Sequence, residues 1–465
     1  MHWLRHCALT FALVLTHWPA AAAATNAPPA LAQDLARVIP ERMASDDVPG
    51  TVVVLIENGK PVWTGAFGLA DPKTGRELSE KAVFRVESIS KPVTAWGVMR
   101  LAASGRLDLD APVSNCLTRW TPPSDTPPLT ARQLLSNSAG IGLGDFSARY
   151  PPDAPRPTLS AHLAEDFTQI ATPGERFIYS DTGFNLLELL IEDCTGEDFA
   201  AYMEREILEP LGMDNASFDW RDADMPVGHD LRGRPVSPYV YPGRGSGGLL
   251  ATASDIARFA AAGMAGADQD VLSADDVHDL HLSTIRVGGL FGLAADGYGL
   301  GHFTETLSDG RTSVWHGGQG YGWMSHMQIV PETGDGIVIL ANSQRAWPLF
   351  AVILRDWSAS LGVEPVGMTR VLWAETAARS TIAVLLLLTG IALWIALRRR
   401  RRPDAVRICA GAIAIVLVAW PFWAAAQDYL FLFSILPGLL PWLGGASAVA
   451  GLALAALALT PERQP

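Results

Sequence analysis

Beyond Glu375 the chain carries three apolar stretches: STIAVLLLLTGIALWIAL (Ser380 to Leu397), ICAGAIAIVLVAWPFWAAA (Ile408 to Ala426) and YLFLFSILPGLLPWLGGASAVAGLALAALALT (Tyr429 to Thr460). Backbone in hydrocarbon must satisfy its own N–H and C=O groups, so such stretches have almost no option but helix. The first two are each long enough to cross a core of roughly 30 Å. The third is too long for one straight helix and is broken by Pro437, Gly438 and Pro441. That pattern predicts an interfacial segment followed by a span. Between the first two lies RRRRR, Arg398 to Arg402, with Arg407 close behind. Basic loops stay in the cytoplasm, so the first span should run outside to inside, the second back out and the third in again. A nucleic-acid arm is the rival reading of five arginines, and the flanking spans argue against it.

The other end is also apolar. MHWLRHCALTFALVLTHWPAAAAA, residues 1–24, places Arg5 before an apolar run and small residues. This is the pattern of a secretory signal peptide, with an uncleaved anchor as the alternative. Either one predicts a multi-pass protein of the inner (cytoplasmic) membrane whose middle faces the periplasm. That middle holds 26 basic and 45 acidic residues, a formal charge of −19. Such a domain is poorly suited to nucleic acid or to an anionic bilayer surface. Only Cys116 and Cys194 share it, since Cys7 is in the leader and Cys409 in a span. An oxidising compartment permits a disulfide between them, and two buried thiols is an equal alternative.

Within the middle, a short helix (LAQDLARVIPERMASDD) precedes two β-rich runs joined at Asn58-Gly59, the dipeptide of tight hairpins. A second hairpin, SHMQIVPETGDGIVILANS, comes near the end with its turn at Glu332 to Gly336. Helical patterns lie between them. Strands at both ends and helices between predict an α/β (α+β) fold: an antiparallel sheet built from both domain termini, flanked by helices and joined by an all-helical region. The expected organisation is a leader at 1–24, a mixed α/β domain at 31–362 and a membrane domain of about three spans at 377–460. The proline-rich TPPSDTPP and PPDAPRP read as rigid surface loops.

The chemistry concentrates in FRVESISKPVTAWGVMRL. Lys91 is one of only four lysines against thirty-one arginines. An ammonium can lose its proton when desolvated, and a guanidinium cannot. Proline is tolerated only in the first turn of a helix, so Pro92 sets the helix start at about Ser88 or Ile89. Residues three apart share a helix face, which turns Ser88 and Lys91 the same way and leaves Ser90 pointing elsewhere. A neutral amine within reach of a hydroxyl can take its proton, and helix-start amides can stabilise an oxyanion. A serine cap followed by a surface lysine is the competing interpretation.

Further on come PGERFIYSDTGFNLL, with Tyr179 and Asp181 at a helix entrance, and VWHGGQGYG, with His316, Gly317 and Gly318 ending a strand before the last hairpin. These three elements in this order resemble the serine β-lactamase and penicillin-binding protein superfamily, nearest to its class C β-lactamase, DD-peptidase and esterase branch. The resemblance runs from about Leu31 to Gly362 and includes GSGGLLATASDIARF (Gly245 to Phe259). It implies Ser88 as the acylated nucleophile, Lys91 and Tyr179 as its proton shuttle, and His316 and Gly318 as the strand motif beside the substrate. The amides of Ser88 and Gln319 would form the oxyanion hole. No cofactor or metal is implied; the partners are a small-molecule or peptide substrate and the bilayer.

Two departures narrow the expectation. Asp181 stands where the family usually has asparagine, and a carboxylate near Lys91 should favour the ammonium and shift the base role toward Tyr179. His316 stands where lactamases keep a lysine, so a substrate carboxylate should be gripped less firmly. Both point away from an efficient β-lactamase and leave an esterase or D-amino-acid peptidase. A different class of function is a catalytically weak sensor of β-lactams or cell-wall fragments that signals through the spans, and a third is capture of a membrane partner or lipid-linked substrate. Elsewhere, His278 and His281 lack a third metal ligand and read as a solvated helix face. Trp315, Tyr321 and Trp323 are divided between cleft and packing, and Asn137 reads as turn chemistry.

Overall fold

A computed structural model describes residues 29–221, 225–398, 403–425 and 430–460. The leader (1–24) and four of the five consecutive arginines (399–402) lie outside them. Eleven strands are present among the described residues: β1 (Gly50–Glu57), β2 (Lys60–Asp71), β3 (Arg76–Glu77), β4 (Phe84–Arg85), β5 (Leu250–Ala251), β6 (Ile285–Arg286), β7 (Gly297–Tyr298), β8 (Phe303–Thr306), β9 (Thr312–Gln319), β10 (Met324–Val330) and β11 (Asp335–Ala341). The helices are α1 (Ala30–Asp46), α2 (Ser90–Ala103), α3 (Ala131–Leu135), α4 (Leu159–Asp166), α5 (Asp181–Thr195), α6 (Phe199–Met203), α7 (Ala253–Ala262), α8 (Ala274–His281), α9 (Trp347–Ser360), α10 (Arg370–Leu397), α11 (Asp404–Ala425), α12 (Leu430–Ile435) and α13 (Leu440–Leu459).

Nine strands form one antiparallel sheet in the order β3-β2-β1-β11-β10-β9-β8-β7-β6, and β4 pairs with β5 separately. The expected closure of the two termini is therefore the β1–β11 pair, with Thr51 opposite Ala341. The β1–β2 hairpin turns at Asn58 and Gly59, both at positive φ (51° and 71°), which suits the asparagine-glycine pair. Alternation along β1 explains its unbroken apolar run. Val52, Val54 and Ile56 pack into the core shared with the helical region, whereas Val53 and Leu55 pack into a second core with α1 and α9. Both faces of the sheet are thus covered.

The helical region is pinned where the site will form. α2 is buried on nearly every side, which fits its lack of a polar stripe, and α5 is capped by Ser180, whose Oγ accepts from the Gly183 N–H at 2.9 Å. At the far end of α5, Cys194 is bonded to Cys116, across 78 residues of chain, with Cα atoms 5.4 Å apart. The two cysteines left open by the sequence are paired.

Among the described residues, three helices are long and apolar enough to cross a membrane: Gly367–Leu397, Asp404–Ala425 and Leu440–Leu459. The third apolar stretch is broken as its prolines predict, into the short α12 and the long α13. α12 reaches back to β9: Ser434 Oγ donates to Gln319 Oε1 at 2.8 Å.

Candidate active site

The turn that carries Ser88 is built around a buried charge pair. β4 ends at Arg85, and Glu87 then adopts φ 50° and opens a 3-10 turn, Glu87–Ile89, before α2 begins at Ser90. The helix proper starts one to two residues later than Pro92 suggested. A left-handed backbone at a residue with a Cβ costs roughly 1–3 kcal/mol and persists only where its surroundings enforce it. Here they do: the Glu87 carboxylate accepts from Arg85 Nε (2.9 Å), Tyr239 OH (3.0 Å) and Tyr241 OH (3.0 Å). Gly320 closes over it, and a Cβ there would lie 2.0 Å from the carboxyl carbon of Glu87. Arg85, fully enclosed, also donates to the carbonyls of Tyr239 and Gly247 and stacks on the Tyr239 ring at 4.3 Å. Ser90 points away from the site, donating to the Glu87 carbonyl and accepting from the Leu249 N–H.

Lys91 is completely buried, and its Nζ has three oxygen partners: Ser88 Oγ at 3.1 Å, Asp181 Oδ1 at 2.6 Å and the Ser246 carbonyl at 2.9 Å. Burial pulls its pKa below the usual ammonium range, and the nearby charges of Asp181 and Glu87 pull back without cancelling that. Asp181 favours the ammonium, as its charge predicts, and desolvation acts against it as the larger force. A neutral amine has two donors and one lone pair. Nζ donates toward all three oxygens as an ammonium; once the amine is neutral, its two N–H groups suffice for the Asp181 carboxylate and the Ser246 carbonyl, and the lone pair is left for the Ser88 hydroxyl.

The Tyr179 side chain interacts with that of Ser88. Burial, then the charge of Asp181, raises the Tyr179 pKa well above that of a free phenol, so it remains a proton donor. Its ring stacks on Phe291 (5.3 Å) and faces the Lys91 ammonium position at 4.8 Å. Asn137 holds this segment from both sides. Its carbonyl accepts from the Ile178 N–H at 2.8 Å and its Oδ1 from the Ser180 N–H at 3.0 Å, at a φ of 52°. The turn chemistry read from its sequence is present, but sequence reasoning missed that it positions Tyr179 and Asp181.

His316, on β9, is fully buried, and burial followed by the charge of Lys91 keeps its pKa well below the ordinary imidazole value. Its Nδ1 meets the Gly317 carbonyl at 2.8 Å, so that nitrogen carries the proton, and Nε2 accepts from Tyr298 OH at 3.3 Å. Gly318 does not face either cavity described below. A Cβ there would meet Val86 O and Ser325 Oγ, both at 2.2 Å, so its part is to let β9 approach the strand leading to Ser88. Gln319 is held by its side chain, whose Oε1 accepts from Trp347 Nε1 and Ser434 Oγ, each at 2.8 Å.

Ser88 stands where two cavities meet. A small one of about 160 Å³ is polar, with Asp145, Arg149, His162, Asp166 and Tyr241 around it. A larger one of about 710 Å³ is walled by Tyr179, Phe291, Phe303, Trp315 and His316 and extends to Val371 and Ala374 of α10. Ser88, Phe146, Asp181 and Gln319 line both. Trp315 therefore belongs to the apolar cleft and Tyr321 to the polar one, while Trp323 packs in the core against Tyr239. His278 is exposed on α8, and His281 packs its ring against His302 at 4.9 Å. Among the described residues, no group of three His, Cys, Asp or Glu side chains is placed to hold a metal ion.

Comparisons with known proteins place the fold in a family. A family model for beta-lactamase matches residues 35–355. Esterase EstB of Burkholderia gladioli is 26% identical over 383 residues, covering 67% of this chain and 91% of its own length. Protein flp of Staphylococcus aureus is 24% identical over 330 residues, covering 67% of this chain but only 63% of flp. Among solved structures, the octameric penicillin-binding protein homologue from Pyrococcus abyssi superposes with a TM-score of 0.65 and 29% identity, over 72% of this chain and 78% of its own. The D-alanine carboxypeptidase AmpC from Burkholderia cenocepacia shares the fold, with a TM-score of 0.56 and 21% identity over 67% of this chain and 94% of its own.

Proposed function

Since the chain belongs to the beta-lactamase family, we propose that it is a membrane-anchored serine hydrolase whose nucleophile is Ser88, acting on an ester, amide or D-amino-acid peptide. The observation that carries this reading is the three-partner arrangement of Lys91, which fixes Nζ 3.1 Å from the Ser88 hydroxyl. Lys91 takes the Ser88 proton as Oγ bonds to the substrate carbonyl carbon. The negative oxygen of the tetrahedral intermediate is received by the amides of Ser88 and Gln319. The bond to the leaving group then breaks, and that group departs with a proton passed from Lys91 through Tyr179. Water reverses the sequence, giving its proton to the same pair, and restores the Ser88 hydroxyl as the acid is released.

Within this class an ester is favoured. Neutral His316 offers no cation to a free substrate carboxylate, the group a D-peptide or an opened β-lactam would present. The likeness to an esterase points the same way. The catalytic domain is proposed to span 31–362 and the membrane domain 377–460, with the catalytic domain on the periplasmic side. The run of arginines after Leu397 in the sequence and the Cys116–Cys194 disulfide support that placement.

The contact between Ser434 of α12 and Gln319 of β9 favours a second reading, a slow sensor in which acylation is passed to the membrane helices. One experiment separates the two. Full-length protein in detergent is mixed with p-nitrophenyl acetate and with a chromogenic cephalosporin, beside Ser88→Ala. Multiple ester turnovers that fall at least about 10³-fold in the variant support the hydrolase. A stable adduct on Ser88 without turnover makes the sensor the better reading.

A further inference from the structure

The larger cavity reaches the part of the chain that enters the membrane. Its inner end is Ser88, and its walls are the rings of Tyr179, Phe291 and Phe303. Its outer wall is Val371 and Ala374 on the first turns of α10, with Ile435 of α12 beside them. A volume of about 710 Å³ lined in this way suits a hydrocarbon body far better than a peptide with its many polar groups.

The mouth is apolar too. Leu143, Ile170, Leu290 and Leu293 converge there with 37%, 52%, 44% and 57% of their surfaces exposed. Scattered surface leucines need no explanation, but four large apolar side chains around one opening mark a surface that meets something apolar. α10 identifies what that is. Trp373, one residue before Ala374, is 77% exposed, the position an interfacial tryptophan takes. Ser380, where the uncharged run begins, lies seven positions further on, and at 1.5 Å per residue that is roughly 10 Å of helix. The mouth thus opens at about the height of the lipid headgroups. Arg176 and Arg286 line it, both exposed and neither paired with a carboxylate among the described residues, as suits guanidinium groups resting on lipid phosphates.

Resting on the hydrolase reading above, we infer that the substrate is an ester of a long hydrocarbon chain drawn from the outer leaflet. The chain occupies the apolar cleft and the polar remainder takes the smaller cavity across Ser88. Hydrolysis then joins the acyl carbon to Ser88 Oγ, releases the polar alcohol with its proton, and finally lets water free the fatty acid.

The test uses the full chain reconstituted in ether-lipid vesicles, which contain no ester to compete. Turnover of p-nitrophenyl esters is measured from acetate to dodecanoate for the wild type, Ala374→Trp, which fills the cleft, and Leu293→Asp, which makes its rim polar. The expected result is a kcat/KM at least tenfold higher for the long esters than for acetate, with that ratio collapsing in both variants. A second arm mixes phosphatidylglycerol into the vesicles and follows fatty acid release, which Arg176→Glu/Arg286→Glu should lower several-fold. A wild-type preference for acetate, or a long-chain preference untouched by both cleft variants, overturns the inference while leaving the hydrolase standing. Absence of Ser88-dependent turnover at every chain length removes the hydrolase reading itself.

Discussion

On one flank of Ser88 the chain buries a carboxylate and a guanidinium, Glu87 and Arg85, and satisfies both with tyrosine hydroxyls and backbone carbonyls. On the other flank it buries rings, with Tyr179, Phe291 and Phe303 stacked beside a neutral His316. The polar flank fixes geometry, because a charge withdrawn from water tolerates few arrangements of its partners. The aromatic flank shapes a space and lowers the local polarity. Lys91 sits between them and takes its character from both. Burial lowers its pKa, and Asp181 and Ser246 fix the direction of Nζ.

The comparison breaks most severely at its centre. Lys91→Met keeps the length and burial of the side chain but deletes the lone pair that faces Ser88. Ester turnover should fall roughly 10³-fold or more, measured with p-nitrophenyl acetate beside Ser88→Ala. Retention of more than a tenth of the activity would mean that Tyr179 alone serves as base. The polar flank is tested next by Glu87→Gln, which leaves the Arg85 guanidinium enclosed without its counter-charge. Loss of one partner from a buried pair costs about 3–5 kcal/mol, read by chemical denaturation of the detergent-solubilised chain. A variant as stable as the wild type would show that Tyr239, Tyr241 and Gly320 hold the strained turn without the charge.

What the sequence displayed and what it concealed divide along the same line. Asn58-Gly59, Pro92 and the broken third apolar stretch are local signals, and each predicts an element found close to where it was expected. Ser88 and Lys91 are three residues apart, so helix geometry alone brings them together. Glu87 is different. Its partners Tyr239 and Tyr241 lie 152 and 154 residues away, and no local pattern encodes that convergence. The apolar cleft was hidden for the same reason, since its walls come from α5's entrance, the short strands β8 and β9, and the first turns of α10. Asn137 was legible as a turn but not as the residue that grips both neighbours of Tyr179, because that grip exists only once residues 178–180 are beside it.

The finest distinction between the flanks rests on Asp181, and its removal should move the pH profile more than the rate. Asp181→Asn keeps an oxygen that can accept from Lys91 and removes the negative charge. That charge raises the pKa of Lys91 against the lowering effect of burial, so its loss lowers the Lys91 pKa further. The base must be neutral to act, and the acid limb of kcat/KM should therefore move to lower pH. The same charge helps to raise the pKa of Tyr179, where it opposes formation of a phenolate. Without it the alkaline limb, where Tyr179 ceases to be a donor, should also move down. Both limbs shifting to lower pH, with a plateau rate within about tenfold of wild type, is the expected signature, since little more than one hydrogen bond of roughly 1.4 kcal/mol is at stake. An unchanged profile would mean that Asp181 acts on Lys91 through geometry alone. Limbs moving upward would contradict the balance of burial and charge by which the site makes a base of its lysine.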